Sequence, residues 1–447
     1  MSTNPTGRAD HTGGSARPAA YPAPLAHTPL NATVTVPGSK SWTNRWLALA
    51  SLASGPSSLI APLEARDTRL MVQALRSLGH AVAESTDADG TVRWTVSPAT
   101  RWQAPTEPVD CGLAGTVLRF LVPLASLADG PVTLTGDERL GHRPLTPLLD
   151  AVRSLGMTVE PGSNGSVLPL RLAGALTQAD PDDARVEVDA SASSQFVSAL
   201  LLAGCTVPGG LTVHATGDVP SLPHVEMTLA ALQHVGVHTE QRDERTWWVE
   251  GRRPDPFEVT VEPDLSSAAA FLCAAAVAGG SVTVPGWPTQ TTQAGDHVRD
   301  LLTRMGATCT FDERGLTVTG GELHGIEADL SAAGELTPVI AATAALADSP
   351  SRLTGIGHLR GHETDRLAAL ATELNALGGE VSELPDGLAI TPRRLHGGLF
   401  HTYADHRLAM AGAILGLRTE GVEVEDIATT GKTVPGFDRL WDAMVGA

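Results

Sequence analysis

The sequence predicts an α/β protein made of six related modules, three in each of two domains. A helix rich in small residues, a turn and a short strand recur six times, at a spacing of about 70 to 77 residues. A second helix follows in each module, and strands alternating with helices are typical of α/β folds. A chain of 447 residues is too long for one ordinary hydrophobic core, so we expect two domains.

The repeat is visible in both helices of the module. The first helix and its following strand are predicted at residues 41–60, 116–134, 194–213, 266–284, 335–354 and 405–424. In five modules the second helix ends before a glycine, a common helix C-terminal signal: Gly79, Gly156, Gly236, Gly306 and Gly378. The sixth has its second helix at 437–445. The period exceeds that of solenoid repeats, which favours separate α/β modules.

The first module begins with a stretch that predicts an anion-binding site. Residues 31–36 alternate apolar and polar side chains, as in a half-buried strand, and a Pro-Gly turn ends them. Ser39 or Ser41 then lies where the N-cap of a helix belongs. Lys40 and Arg45 add positive charge to a helix start whose free N–H groups already attract anions. The alternative is a capped helix with two solvated cations.

Polar residues occupy the start of the first helix in every module. They are Lys40-Ser41, Gly115-Thr116, Ser193-Ser194-Gln195, Ser266-Ser267, Glu335 and Asp405-His406-Arg407. All can be interpreted as N-caps, and for Ser266-Ser267 this is the preferred interpretation. Six symmetry-related helix starts would face common clefts, and three carry Lys, Gln, His or Arg beyond what capping requires.

Three more motifs bring charge to helix starts. Residues 112–119 place two glycines before a helix and Arg119 one turn into it, which lets the backbone approach a ligand. Arg143 precedes a helix that begins with proline, where a surface arginine is the alternative. Residues 361–366 combine an imidazole, two carboxylates and a guanidinium. A carboxylate beside cations can donate or accept protons.

Other patterns argue against common cofactor sites. Residues 361–366 do not read H-E-x-x-H, so no metal site is predicted. Residues 431–433 imitate the end of a P-loop, but Asp426 replaces a required glycine; Lys432 remains a candidate cation for an anionic ligand. Residues 355–357 lack the third glycine of a dinucleotide fingerprint. We therefore expect no metal, nicotinamide or flavin.

Composition narrows the class of partner and the compartment. A net charge of -19 and a pI near 5.1 argue against a nucleic-acid partner, and no long apolar run predicts a membrane span. The cysteines form no C-x-x-C pair, which suggests neither zinc nor a disulfide framework: Cys111, Cys205, Cys273 and Cys309. Residues 1–20 are expected to be a flexible tail without a secretory signal. We expect a cytoplasmic protein.

The motifs resemble those of the EPSP synthase family, the 3-phosphoshikimate 1-carboxyvinyltransferases of the shikimate pathway. The shared strings are P-G-S-K-S-x-x-x-R at 37–45, A-G-T-x-x-R at 114–119, S-S-Q at 193–195, E-T-D-R at 363–366, D-H-R at 405–407 and the late Lys432. The resemblance runs from about Tyr21 onward and implies a two-domain enolpyruvyltransferase-like fold with ligands in the interdomain cleft. It implies one domain of residues 21–38 and 263–447 and an inserted domain of 39–262.

The resemblance also implies the chemistry and its residues. The family transfers the enolpyruvyl group of phosphoenolpyruvate to the 5-hydroxyl of shikimate 3-phosphate without a cofactor; we expect these two small molecules as partners and a monomeric enzyme. Catalytic roles are implied for Glu335, Glu363, Lys40, His406 and Lys432, with Glu335 taking the hydroxyl proton and Glu363 protonating the methylene carbon. Implied contacts of shikimate 3-phosphate are Lys40, Ser41, Arg45, Ser193, Ser194, Gln195, Ser221, Glu335 and His362. Those of phosphoenolpyruvate are Lys40, Gly115, Arg143, Gln195, Arg366, Arg407 and Lys432, with Arg119 in support.

The sequence departs from the common family pattern at Leu113, His224, His358 and His362. His362 replaces a lysine beside Glu363, and an ordinary imidazole would be only partly charged at neutral pH. Two alternatives are the enolpyruvyltransferase acting on UDP-N-acetylglucosamine, which uses a loop cysteine and lacks the S-K-S and S-S-Q strings, and a non-catalytic phosphometabolite-binding protein of the same fold.

Overall fold

The computed structural model describes residues 20–177 and 184–446. The predicted flexible tail therefore lies outside the described residues, apart from Ala20. Within the described ranges, no helix combines the length and the apolar character needed to cross a membrane.

Six small sheets confirm the six predicted modules. In five of them the first strand runs parallel to the second and all other neighbours are antiparallel. In spatial order, the first sheet contains Glu258–Thr260, Ser57–Ile60, Val92–Ser97 and Ala81–Thr86, and the second contains Val109–Asp110, Val132–Thr135, Leu170–Ala173 and Thr158–Glu160. The third contains Arg185–Val188, Leu211–Ala215, Thr246–Val249 and Thr239–Asp243. The fourth contains Leu30–Thr33, Gly280–Val284, Gly315–Thr319 and Thr308–Asp312, and the fifth contains Glu327–Asp329, Ser351–Thr354, Gly387–Thr391 and Glu380–Leu384. The sixth sheet has three strands, Gly398–Phe400, Val422–Val424 and Tyr21–Pro22.

The described residues form thirteen α-helices and five short 3-10 helices. The α-helices are Lys40–Leu52, Arg66–Ser77, Gly115–Leu124, Glu138–Gly141, Thr146–Ser154, Gln195–Gly204, Pro223–His234, Leu265–Ala278, Val298–Arg304, Thr337–Ala345, Arg366–Ala376, His406–Gly416 and Phe437–Val445. The 3-10 helices are Ala125–Leu127, Ala294–His297, Gly334–Leu336, Gly357–Gly361 and Ile427–Lys432.

Three element boundaries differ from the predictions for local reasons. The predicted strand 31–36 pairs over Leu30–Thr33, and Val34 adds one bond, from its N–H to Thr283 O at 2.9 Å. The ladder ends there because the chain then turns toward the passage at Gly38, while Val34 and Val36 stay in the same core. The helix that opens the predicted segment 116–134 contains Pro123, which lacks an N–H group, and it continues beyond Leu124 as a 3-10 turn. The helix expected from Glu335 begins as a 3-10 turn, and its α-helical part starts at Thr337, directly before a proline.

Buried hydrophobic side chains form two separate cores. One extends from Trp42 to Val261, and the other combines residues 23–36 with residues 265–444. The chain passes between them twice, and the two passages lie side by side. There Ser39 donates its N–H to Glu262 O at 2.7 Å, and Asp264 donates its N–H to Pro37 O at 2.9 Å.

Candidate active site

A cleft between the two cores collects the starts of helices from both halves. Lys40, Gly115, Gln195 and His406 are each the first residue of an α-helix, and Glu335 lies in the 3-10 turn before another. The sixth equivalent helix, Leu265–Ala278, contributes no residue to the cleft lining. Its N-cap is Asp264, whose side chain accepts from Ser267 N at 2.9 Å, so the prediction that Ser266-Ser267 forms the cap is wrong.

All but one of the predicted site residues line this cleft. The lining contains Lys40, Ser41, Asp67, Gly115, Thr116, Arg119, Arg143, Ala192, Ser193, Ser194, Gln195, Pro220, Ser221, His224, Glu335, His358, His362, Glu363, Arg366, His406, Arg407 and Lys432. The absent residue is Arg45. Its buried guanidinium donates to His224 O at 2.7 Å, to Thr228 Oγ1 at 2.9 Å and to Ser41 O at 3.0 Å, behind the cleft wall. Burial lowers the pKa of Arg45 to about 9.

Sequence reasoning missed four lining residues, Asp67, Thr116, Ala192 and Pro220, as contacts of a ligand. It named His224 and His358 only as departures from the family pattern. Asp67 lies in the first turn of the helix Arg66–Ser77, where an acidic residue is common because it stabilises the helix dipole. Because an acidic residue is common at this position, nothing in the sequence indicated that Asp67 lines the cleft.

Six cationic side chains line the cleft of this acidic protein: Lys40, Arg119, Arg143, Arg366, Arg407 and Lys432. The whole chain contains only two lysines, and both of them are in this group. Burial and the neighbouring Lys432 lower the pKa of Lys40. Arg119 donates from Nη1 to Gln195 Oε1 at 2.9 Å, and burial lowers its pKa to about 9. Such a concentration of positive charge suits a multiply anionic ligand.

Glu335 receives contacts from both halves of the cleft. Its Oε2 accepts from Arg407 Nη2 at 2.8 Å, and its Oε1 lies 3.4 Å from His224 Nε2. Burial alone would raise the pKa of Glu335, but Arg407, His224 and Lys40 hold it well below its usual range. The side chain is therefore a carboxylate at neutral pH and can accept a proton.

Glu363 is surrounded by cations. Its Oε1 accepts from Lys432 Nζ at 2.6 Å, and its Oε2 accepts from Arg366 Nη2 at 3.2 Å and lies 3.8 Å from Arg143 Nη2. Burial would raise the pKa of Glu363, but these three cations outweigh it and hold the pKa well below the usual range. A ligand anion that shares the same cations would weaken this effect and raise the pKa.

Three histidines of the cleft are held neutral. Burial, with Arg366 nearby, lowers the pKa of His358 to about 4 and that of His362 well below its usual range. The half-buried His362 has its Nδ1 only 3.3 Å from Arg366 Nη1, and this cation favours the neutral imidazole over the partly charged one expected for an ordinary histidine. Burial and Arg407 likewise lower the pKa of His406, whose two ring nitrogens have no hydrogen-bond partner among the described residues, although Nδ1 lies 3.6 Å from Asp405 Oδ1.

The buried Asp405 holds the side chain of one arginine and caps a helix. Its carboxylate accepts from Arg366 Nε at 2.7 Å and Nη2 at 3.2 Å, and it also caps its own helix by accepting from Arg407 N at 2.8 Å. One carboxylate thus holds the Arg366 guanidinium beside the start of the helix that carries Arg407. Removing this carboxylate would leave Arg366 buried with fewer partners.

The two sides of the cleft are in direct contact. Ser221, which has a left-handed backbone with φ of 52°, donates its N–H to Ser331 O at 2.9 Å across the cleft. Lys432 Nζ lies 3.8 Å from Asp67 Oδ2, in addition to the pairs that join Arg143 to Glu363 and His224 to Glu335. The structure is a closed form of the cleft.

Neither thiols nor a metal-binding cluster accompany these groups in the described ranges. Three of the four cysteines are buried, and none lines the cleft. No group of three or more His, Cys, Asp or Glu side chains in these ranges has the arrangement of a metal site. The groups available for chemistry are thus the cations, the carboxylates, the hydroxyls and the neutral imidazoles.

Comparisons with known proteins agree with this site. Residues 25–441 match the family model for EPSP synthase (3-phosphoshikimate 1-carboxyvinyltransferase). A 3-phosphoshikimate 1-carboxyvinyltransferase from Kocuria rhizophila is 54% identical over 434 residues, covering 96% of this chain and 97% of the relative. The solved EPSP synthase from Acinetobacter baumannii superimposes with a TM-score of 0.77 at 25% identity, covering 94% of this chain and 97% of that one. The enolpyruvyl transferase NikO from Streptomyces tendae shares the fold, with a TM-score of 0.73 at 20% identity over 95% of this chain and 98% of its own.

Proposed function

The chain belongs to the EPSP synthase family, and we propose that its cleft transfers the enolpyruvyl group of phosphoenolpyruvate to the 5-hydroxyl of shikimate 3-phosphate, releasing phosphate. One observation carries this proposal: five helix starts and six cations converge on a cleft that also holds Glu335 and Glu363. Both substrates are multiply anionic. Fixed positive groups can bind them and stabilise the charge that develops as phosphate leaves.

Phosphoenolpyruvate is assigned to the cations around Glu363. Arg143, Arg366 and Lys432 all approach this carboxylate, and Arg407 and Lys40 also line the cleft. A phosphate or carboxylate bound there would share these charges and raise the pKa of Glu363. Binding of the substrate would thereby help Glu363 to carry the proton that it has to donate. Gly115 lies beside Arg143, and its missing Cβ leaves room for the Arg143 guanidinium at this subsite.

Shikimate 3-phosphate is assigned to the wall rich in hydroxyl groups. Ser41, Ser193, Ser194 and Ser221 line it, and Gln195, Lys40 and His362 lie at its border with the phosphoenolpyruvate subsite. Short hydroxyl groups can donate hydrogen bonds to phosphate oxygens. Arg45 supports this wall from behind, through the carbonyl oxygens of Ser41 and His224.

The proposed reaction uses the two carboxylates in opposite senses. Glu363 gives a proton to the methylene carbon, the 5-oxygen bonds to the adjacent carbon, and the hydroxyl proton passes to Glu335. In the second step the bond between that carbon and the phosphate oxygen breaks, and the methyl group returns one proton to Glu363. The proton on Glu335 leaves with the phosphate, so each carboxylate ends as it began.

The wider organisation is also part of the proposal. We assign residues 21–38 and 263–447 to one domain and residues 39–262 to the other, supported by the two cores and the paired crossings at Gly38 and Pro263. A single chain supplies both walls of the cleft, which supports a monomer. The free cysteines suit a reducing compartment such as the cytoplasm.

A phosphate-release assay tests the function. We expect release only when phosphoenolpyruvate and shikimate 3-phosphate are both present, and none when UDP-N-acetylglucosamine replaces the latter. Glu335→Gln and Glu363→Gln should each lower kcat by roughly 10²–10⁴-fold, while shikimate 3-phosphate binding, measured by calorimetry, stays within a few-fold. Binding of both ligands without turnover would support the non-catalytic alternative. Normal turnover by either variant would contradict the role of that carboxylate.

A further inference from the structure

His224 is anchored in one half of the molecule by its backbone. It is the second residue of the helix Pro223–His234, and its side chain is 9% exposed. Its carbonyl oxygen accepts three hydrogen bonds, from Arg45 Nη2 at 2.7 Å, Thr228 Oγ1 at 3.0 Å and Ser198 Oγ at 3.1 Å. The main chain at this position therefore has little freedom to move relative to the first helix.

The imidazole of His224 extends to the other half. Its Nε2 lies 3.4 Å from Glu335 Oε1, whereas Oε2 of the same carboxylate accepts from Arg407 Nη2 at 2.8 Å. An ionised carboxylate only accepts hydrogen bonds, so a hydrogen bond at this contact requires the proton on Nε2. The other ring nitrogen, Nδ1, is buried and has no partner among the described residues.

Glu335 is thus oriented by one group from each side of the cleft. Arg407 lies in the same half of the molecule as Glu335 and contacts one oxygen, but the terminal torsion of a glutamate has a broad energy profile. The second contact, from His224, exists only while the two sides lie together. We propose that His224 is a positioning residue, which turns the Glu335 carboxylate toward the substrate hydroxyl when the cleft closes.

The inference rests on the proposed role of Glu335 as proton acceptor. A general base has to lie within hydrogen-bond reach of the proton that it takes. A displacement of about 1 Å can lower the rate on the order of 10²-fold. A role in orientation should therefore appear in kcat, whereas a simple contact with the substrate should appear mainly in KM.

Three substitutions separate the two ring nitrogens. His224→Gln keeps a donor near the position of Nε2, His224→Asn keeps a polar group nearer Nδ1, and His224→Phe keeps the ring and removes both. We expect the Asn and Phe variants to lower kcat by about tenfold to a hundredfold, with the KM for shikimate 3-phosphate within a few-fold. The Gln variant should recover most of the turnover. Thermal melting identifies a variant that fails to fold, and the Gln and Asn pair tests the proposal without the Phe variant.

A double-mutant cycle with Glu335→Gln tests whether the effect passes through Glu335. If it does, His224→Phe and His224→Asn should lower kcat in the native background and have little further effect in the Glu335→Gln background. Equal losses in both backgrounds, or a change confined to KM, would overturn the inference. If Glu335→Gln has a large effect and the His224 variants have none, the inference about His224 is overturned and the proposed role of Glu335 stands. Full turnover of Glu335→Gln would overturn the role of Glu335 as well.

Discussion

One added methyl group at Gly115 should disturb phosphoenolpyruvate binding by moving Arg143. A Cβ at this position would lie 2.8 Å from Arg143 Nη1 and 3.2 Å from Arg119 Nη1, whereas ordinary contact begins near 3.4 Å. The Arg143 guanidinium must therefore retreat by about 0.6 Å, the difference between 3.4 and 2.8 Å. Overpacking costs about 1–3 kcal/mol, and the flexible end of an arginine favours the lower limit. About 1 kcal/mol corresponds to roughly fivefold in affinity.

Steady-state kinetics of Gly115→Ala measures this effect. The KM for phosphoenolpyruvate should rise about fivefold, and the KM for shikimate 3-phosphate should stay nearly constant. From the family resemblance we expect glyphosate to compete with phosphoenolpyruvate. Glyphosate is longer than phosphoenolpyruvate, so its inhibition constant should rise by a larger factor than the KM for phosphoenolpyruvate. Gly431→Ala is the matched control, because a Cβ there, beside Lys432, has no heavy atom within 4 Å.

Two results would refute this reasoning at different steps. The two constants that matter are the KM for phosphoenolpyruvate and the inhibition constant for glyphosate. If neither of them changes, the phosphoenolpyruvate subsite does not include Gly115 and Arg143, and that assignment fails. If both constants rise by the same factor, displacement of Arg143 accounts for the whole effect and the length of the inhibitor plays no part. A crystal structure of the variant would show directly whether the guanidinium has moved.

Three further predictions follow from the burial and the charges. An amine-acylating reagent at pH 8 should inactivate the enzyme at the rate at which it modifies Lys40 or Lys432, the only two lysines of the chain. Shikimate 3-phosphate should protect both lysines from the reagent. Peptide mass spectrometry measures the modification of each one. Small-angle scattering should show compaction on shikimate 3-phosphate binding, because the cations facing the cleft repel one another; an unchanged radius would mean that pairs such as Arg143 with Glu363 hold the cleft closed unaided. Burial lowers the pKa of His80 to about 4, below its unfolded value near 6.5, so protonation favours unfolding. The free energy of unfolding should fall by up to ~3 kcal/mol as the pH is lowered from 6.5 to 4. Urea unfolding at pH 7 and pH 5 should show a smaller loss of stability for His80→Asn than for the native protein. An equal loss in both proteins would contradict the role of His80.

The repeated pattern predicted the modules because each repeat carries its own local signals. Small-residue helices, turn residues and short apolar strands recur in sequence, and each is read without knowledge of its neighbours. The completion of the sheets is different. Glu258–Thr260 completes the sheet of Ser57–Ile60, almost two hundred residues earlier, and the two-residue strand Tyr21–Pro22 pairs with Val422–Val424. Such pairings depend on tertiary contacts that no local period reveals.

The cleft lining could be predicted where the first residue of a helix itself lines the cleft. Lys40, Gly115 and Gln195 needed only the position of a helix N-terminus. Arg45 follows Lys40 by about one turn, but the packing of the helix Pro223–His234 decides where its guanidinium points. Similarly, the neutral state of His362 depends on burial and on Arg366, and neither is visible in the sequence.

Among the six equivalent helices, Leu265–Ala278 is the one whose start does not line the cleft, and its N-cap instead contacts the other half of the molecule. Asp264 caps the helix Leu265–Ala278 with Oδ1, and its Oδ2 accepts from the backbone N–H of Lys40 at 3.2 Å. One carboxylate therefore joins the start of the first helix in one half to the start of the corresponding helix in the other. Because both lie at the passages through Gly38 and Pro263, a change in the angle between the halves must pass through this contact. The helix start that carries Lys40 therefore lies both in the cleft lining and beside the two passages, and we expect a ligand bound at Lys40 to act where the two halves meet.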